Sequence, residues 1–345
     1  MAPLRRLLRW WRGPLWLAAL GTGSKSFVDN PILGSARLNR AGLHVNRLKL
    51  AHSLAWRRRR KLATDVPAAW REQFDRNGFV VVPDFLSRET FERLRSALLD
   101  HEWDCRAHQQ GSTVTRRVPI GPDILGRIPE LRTLLASSRW RGLLAYVAST
   151  RSQPLYYIQT IVSGIPGEAP DPQLQIHSDT FHPSLKAWLF LTDVADDGGP
   201  LTYVAGSHIL TPERLAWEQA KSSTVVATGD RLSQRGSFRV SAEELPLLGL
   251  PAPIRFAVPA NTVVAIDTFG FHARAESDRP TVRVEIWAYG RRTPFLPSVG
   301  FDPLSWRPIA DRRAQWLAAI MDWLDRLSLA TQHWRPAGRR RPVDP

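Results

Sequence analysis

Through the middle of the chain, apolar residues fall in short runs bounded by turn residues; towards both ends they recur at helical spacing. Phe79-Val80-Val81-Val82, opened by Gly78 and closed by Pro83, has the form of a short buried strand. The same reading predicts strands over 156–162, 174–179, 187–194, 201–204, 261–268 and 281–289, with Asp196-Asp197-Gly198-Gly199-Pro200 as a turn. Ser87 is a helix N-cap with Glu89 in the first turn, and Phe91, Leu94 and Leu98 line one face of the helix that follows. Helices are also predicted over 43–61, 128–149 and 309–329. In the last, Trp316, Ile320, Trp323, Leu324 and Leu327 share a face expected to pack on the strand core or the N-terminal helices. Residues 25–41 read as loop, 222–253 as a weakly patterned insertion, and the Pro- and Arg-rich tail from 335 as disordered. Several short antiparallel strands with turn signals between them predict a jelly roll, a mainly β fold with flanking helices. Three segments are expected: a basic N-terminal stretch over 1–65, the strand-rich domain over 66–300, and a C-terminal helix and tail over 301–345.

The 345 residues, 43% hydrophobic and 23% charged, suffice for a sizeable core. The net charge of +15 is unusual for such a composition. Arginine supplies most of it, concentrated at Arg5, Arg6, Arg9 and Arg12, in Arg57-Arg58-Arg59-Arg60-Lys61, and at Arg339-Arg340-Arg341. Leu4, Leu7, Leu8 and Trp11 between the first arginines make the pattern of a helix lying in a membrane interface, with a packing helix or a disordered tail as the alternatives. The run at 57–61 is open to three readings: a solvated helix face, a lipid headgroup contact or a nucleic-acid contact. Trp and Leu interleaved with the arginines favour an anionic membrane surface over nucleic acid as partner. The single cysteine, Cys105, excludes an intramolecular disulfide and a cysteine-built zinc site, and fits a cytoplasmic protein peripheral to a membrane.

Chemistry concentrates at Gln175-Ile176-His177-Ser178-Asp179. On a strand, positions i and i+2 face the same way, so His177 and Asp179 project together. They make two-thirds of a two-histidine, one-carboxylate facial triad, the site type that holds non-heme Fe(II). His272, on a later strand, is the candidate third ligand.

These pieces, in this order, resemble the phytanoyl-CoA dioxygenase family of Fe(II)- and 2-oxoglutarate-dependent oxygenases over about residues 73–291. The resemblance is carried by Gly78 to Ser87 before a helix, by His177-Ser178-Asp179, by Asp197-Gly198-Gly199-Pro200-Leu201, by Gly206-Ser207-His208, and by His272 followed by Arg283. It implies a double-stranded β-helix (jelly-roll, cupin-like) core and Fe(II) on His177, Asp179 and His272. It also implies 2-oxoglutarate and O2 as cosubstrates, and Arg283 on the far carboxylate of 2-oxoglutarate, with Trp188 nearby. Because Asp179 is present, hydroxylation of an unactivated carbon is implied, with 2-oxoglutarate converted to succinate and CO2. The chain departs from the pattern at Ala205, where proline is usual, and at Arg274, where a small hydroxyl residue is usual. Arg274 is thus a candidate contact to 2-oxoglutarate or to an anionic substrate. The expected substrate is a small molecule or a lipid-like amphiphile. The competing expectation is a catalytically inactive jelly-roll binding protein docked on a membrane.

Overall fold

The computed structural model of the protein describes residues 13–167, 170–228, 230–300 and 302–345. The amphipathic pattern expected at Leu4 to Arg12 lies outside the described residues. Eleven described strands run β1 (Phe79–Val82), β2 (Trp103–Gln110), β3 (Thr113–Pro119), β4 (Leu155–Ser163), β5 (Leu185–Phe190), β6 (Leu201–Tyr203), β7 (Ile254–Arg255), β8 (Val263–Asp267), β9 (His272–Arg274), β10 (Thr281–Gly290) and β11 (Arg335–Arg340).

Eight form one antiparallel sheet in the order β1-β8-β5-β10-β4-β3-β2-β11. The other sheet is β7-β6-β9, and a bridge from His177 to His272 extends it past β9. From β4 onward the chain passes back and forth: β4 large sheet, His177 small, β5 large, β6 and β7 small, β8 large, β9 small, β10 large. This is the double-stranded β-helix, with helices flanking it.

The alternation of side chains on β10 divides core from site. Val284, Ile286 and Ala288 point outward with Ile158, Ala187 and Ala265 into the main core, where they meet Leu94, Leu131 and Leu143 of the helices Arg88–Leu99, Pro129–Ala136 and Ser138–Ala148. Arg283, Glu285, Trp287 and Tyr289 point the other way, across from Lys186, Trp188 and Phe190 of β5. Gly78, at φ +83°, ends the helix before β1; a Cβ there would fall 2.5 Å from the Tyr203 hydroxyl and 2.7 Å from His208 Nδ1.

The helix Leu43–Leu62 is not an appendage. Leu48, Ala51, Ala55 and Leu62 are buried, and Leu48 and Ala51 pack with Phe181 and Phe269. The basic run at its end splits between two environments. Arg57, Arg60 and Lys61 are exposed, whereas Arg58 and Arg59 continue the inward stripe and are buried. Arg59 bonds Asp267 and the carbonyls of Tyr146 and Val147; Arg58 bonds the carbonyls of Ser149, Pro294 and Leu296. A charge pattern alone cannot reveal this, because an arginine is buried only where distant residues supply partners.

The C-terminal region departs from expectation twice. The helix Arg313–Arg326 buries Ala314 and turns Leu317, Ala318 and Met321 towards a cavity on the barrel. Four of the five residues of the expected packing face are turned to solvent, with Trp316 47%, Ile320 53%, Trp323 57% and Leu327 50% exposed, while Leu324 is half-buried. The tail expected to be disordered is β11, paired with β2 at the sheet edge. Backbone pairing needs no apolar side chains, so composition did not reveal it. The insertion at 222–253 carries the end of the helix Pro212–Thr228 and short helices at Arg231–Gln234 and Glu244–Leu247. Among the described residues, no helix is long and apolar enough to cross a membrane.

Candidate active site

The segment predicted as a strand over 174–179 pairs through His177 alone. His177 bridges β9 on one side and Arg239 on the other, exchanging backbone hydrogen bonds with His272 at 3.0 and 2.9 Å. The amide of Asp179 then donates to the Thr268 carbonyl at 2.9 Å. These bonds set His177, Asp179 and His272 side by side, each offering a ligand atom within 4.8 Å of the others. Asp179 Oδ1 lies 3.5 Å from His177 Nε2 and 3.6 Å from His272 Nε2.

Both rings are oriented from behind. His177 Nδ1 is 2.7 Å from the carbonyl of Gln175, and His272 Nδ1 is 2.9 Å from that of Gly270. A carbonyl only accepts, so each Nδ1 carries the proton and each Nε2 lone pair faces the site. Burial lowers the His177 pKa to about 4, against the attraction of Asp179, so the ring is neutral near pH 7. Burial alone would raise the Asp179 carboxyl, but Lys186 and the two imidazoles outweigh it and hold it well below the usual carboxylate range. Two imidazoles and one carboxylate in a facial cluster fit a divalent ion such as Fe(II).

Beside the triad lies a cavity of about 190 Å³ on the inner face of the large sheet. Arg283, Trp188 and Arg274 all line it. Arg283 donates from Nε to Glu285 Oε2 at 2.9 Å and from Nη1 to the Gly199 carbonyl at 2.9 Å. Gly199 belongs to the turn singled out in the sequence, so that turn steadies the arginine. Arg274 donates to the buried Asp171 carboxylate at 2.9 Å. His182 lies outside the triad, with Nδ1 3.0 Å from the Pro183 carbonyl. His208 is buried against Phe74 and Trp56.

Four cations at the site were missed from sequence. Lys186 Nζ is 2.8 Å from Asp179 Oδ2 and 3.4 Å from His272 Nε2. Alternation would have found it, since Lys186 is two residues before Trp188, but the predicted strand began at 187. Arg117 donates to Gln159 Oε1 at 2.7 Å, and Gln159 in turn donates to Glu285 at 2.8 Å. Lys25, from the N-terminal segment, reaches the Asp179 carbonyl, and burial lowers its pKa to about 8. Arg239 pairs its backbone with His177. For these last three, no local sequence signal points to the site.

Residues 74–226 match the family model described as phytanoyl-CoA dioxygenase. No curated protein matches the chain. Among solved structures, the chain is similar to the epimerase SnoN from nogalamycin biosynthesis, solved with Fe3+, alpha ketoglutarate and nogalamycin RO (22% identity over 68% of this chain and 92% of that one, TM-score 0.43). It is similar also to HygX from Streptomyces hygroscopicus, solved with nickel, 2-oxoglutarate and hygromycin B (18% identity, 65% and 87%, TM-score 0.40). The matched segment carries β1, His177, Asp179 and the Gly198-Gly199 turn, so this part of the chain matches the phytanoyl-CoA dioxygenase family that the sequence motifs pointed to, and the family model and the neighbours' bound metal and 2-oxoglutarate are consistent with Fe(II) and 2-oxoglutarate at the triad.

Proposed function

We propose that this protein hydroxylates an unactivated carbon of a small molecule, with His177, Asp179 and His272 as the iron ligands. The observation that carries the reading is the triad itself: three ligand atoms within 4.8 Å of one another, with both Nδ1 atoms committed to backbone carbonyls. When bound at this site, iron would bring O2, the oxidant, together with 2-oxoglutarate, the co-reductant, in the balance substrate C–H plus O2 plus 2-oxoglutarate to C–OH plus succinate plus CO2.

The chain's own residues bind, orient and enclose. The Gln175 and Gly270 carbonyls keep both imidazoles in the ligating tautomer. Asp179 takes the third protein position and leaves none for a halide, which supports hydroxylation over halogenation. Arg283, held by Glu285 and Gly199, is placed to take the distal carboxylate of 2-oxoglutarate, and guanidinium geometry suits a carboxylate. Trp188 and Phe190 make the dry wall of the cavity. Arg274 is tied to Asp171 and is left as a wall residue rather than a ligand to 2-oxoglutarate.

Anaerobically purified protein given Fe(II), 2-oxoglutarate and then air should release succinate slowly without substrate, and Asp179→Ala should release none. A wild-type chain that forms no succinate above the Asp179→Ala background would favour the inactive binding protein instead.

A further inference from the structure

A second cavity, of about 350 Å³, adjoins the first. The inner face of β10 leads into it: Arg283 and Glu285 face the cosubstrate cavity, and Trp287 and Tyr289 continue into the second. Tyr289 pairs in register with Lys186, whose ammonium touches the triad, so this cavity lies at the metal-bearing end of the barrel. Its walls are Tyr157, Trp287, Tyr289 and Trp334, and Leu317 and Met321 of the C-terminal helix cover it. Trp287, Trp334 and Arg117 line both cavities and form the partition.

Arg117 is the unmatched charge. Its guanidinium lies 3.9 Å from the Trp287 ring centre and 4.1 Å from that of Trp334. Nε is used by Gln159, while Nη1 and Nη2 make no hydrogen bond and no ion pair among the described residues. The other cations on these walls have carboxylates: Lys186 with Asp179, Arg274 with Asp171, Arg283 with Glu285. Fe(II) and doubly charged 2-oxoglutarate cancel one another, so loading the site leaves Arg117 still unbalanced. A half-buried cation held between two indoles, with two donors free and facing the cavities, is placed to receive an anion there.

We propose that the second cavity is the substrate subsite and takes a small molecule with a flat aromatic or otherwise apolar body and one anionic group, the anion resting on Arg117. The proposal builds on the oxygenase reading above, since it supplies that site's substrate class. The test uses the full chain with 2-naphthoate and its uncharged isostere 2-naphthamide, titrated calorimetrically with and without anaerobic Fe(II) and 2-oxoglutarate. The carboxylate should bind about tenfold or more tightly than the amide, the preference a charge-assisted hydrogen bond gives. Arg117→Gln should bring the ratio close to one, Arg117→Lys should restore part of it, and Trp334→Ala should weaken both ligands while keeping the ratio. Equal binding of the two probes by the wild type, no binding of either, or a ratio that survives Arg117→Gln would overturn the proposal. Displacement of 2-oxoglutarate by 2-naphthoate would also overturn it, by assigning Arg117 to the cosubstrate. Titration without iron keeps the outcome separate: if iron fails to bind, the oxygenase reading falls and the probe ratio still decides this one.

Discussion

Arg59 offers the sharpest test of how the N-terminal helix is built into the barrel. Its side chain and that of Asp267 are each 1% exposed, and they meet at 2.9 Å. Arg59→Ala strands the Asp267 carboxylate with only the amides of Ser184 at 3.2 Å and Phe269 at 3.1 Å, and frees the carbonyls of Tyr146 and Val147. Breaking a buried pair from one side costs about 3–5 kcal/mol, a third or more of a typical total stability. With a urea m-value near about 3 kcal/mol/M, the unfolding midpoint should fall by about 1 M or more. Arg57→Ala, two residues away and exposed, should change stability by less than about 0.5 kcal/mol. Arg59→Met combined with Asp267→Asn should recover much of the loss, because no unpaired charge remains. Asp267 also anchors the start of β5 through Ser184 and the turn into β9 through Phe269, so Arg59→Ala should bind iron more weakly as well. If Arg59→Ala and Arg57→Ala unfold within about 1 kcal/mol of each other, the helix is not the structural member described.

Other consequences follow from single contacts. Arg283→Lys keeps the charge beside Glu285 but loses the planar fork, and should raise the KM for 2-oxoglutarate about tenfold with little change in thermal midpoint. Burial, with Arg291 acting on His182 and Arg59 on His208, holds both imidazoles at about 3, far below their unfolded value. The unfolded chain therefore takes up protons that the folded chain refuses, and stability is lost as pH falls from about 6.5 towards 3. Each should contribute about 2 kcal/mol between pH 6.5 and 5, and His208→Gln should flatten the slope of stability against pH by that amount. Trp316→Ser and Trp323→Ser, on the outward face of the C-terminal helix, should each alter the unfolding midpoint little, since the side chains are 47% and 57% exposed.

The barrel was legible because its strands are short, apolar and punctuated. The run 79–82 and the alternation of Arg283 with Val282 and Val284 have direct counterparts in β1 and β10. The polar strands β2, β3 and β11 were invisible to a hydrophobicity pattern: they lie at one side of the sheet, and their pairing is a backbone property. His177, Asp179 and His272 stood out because spacing and residue type carry the signal together. Lys186 did not, because the strand reading began one residue after it, and Arg117 did not, because a basic residue in a polar strand has no site-specific spacing and only the fold gives it neighbours. The outward face of the helix Arg313–Arg326 shows the limit of amphipathic reading: Ala314, Leu317, Ala318 and Met321, not the tryptophans, face the barrel.

The central claim is that His177, Asp179 and His272 hold one ferrous ion to which 2-oxoglutarate adds. The most direct measurement is an anaerobic titration of the full chain with Fe(II) in the presence of 2-oxoglutarate, followed by visible absorption. A weak charge-transfer band that saturates at equimolar iron and is missing from His177→Ala would bear the claim out. A wild-type chain that binds no iron, or a band that persists undiminished in His177→Ala, would contradict it.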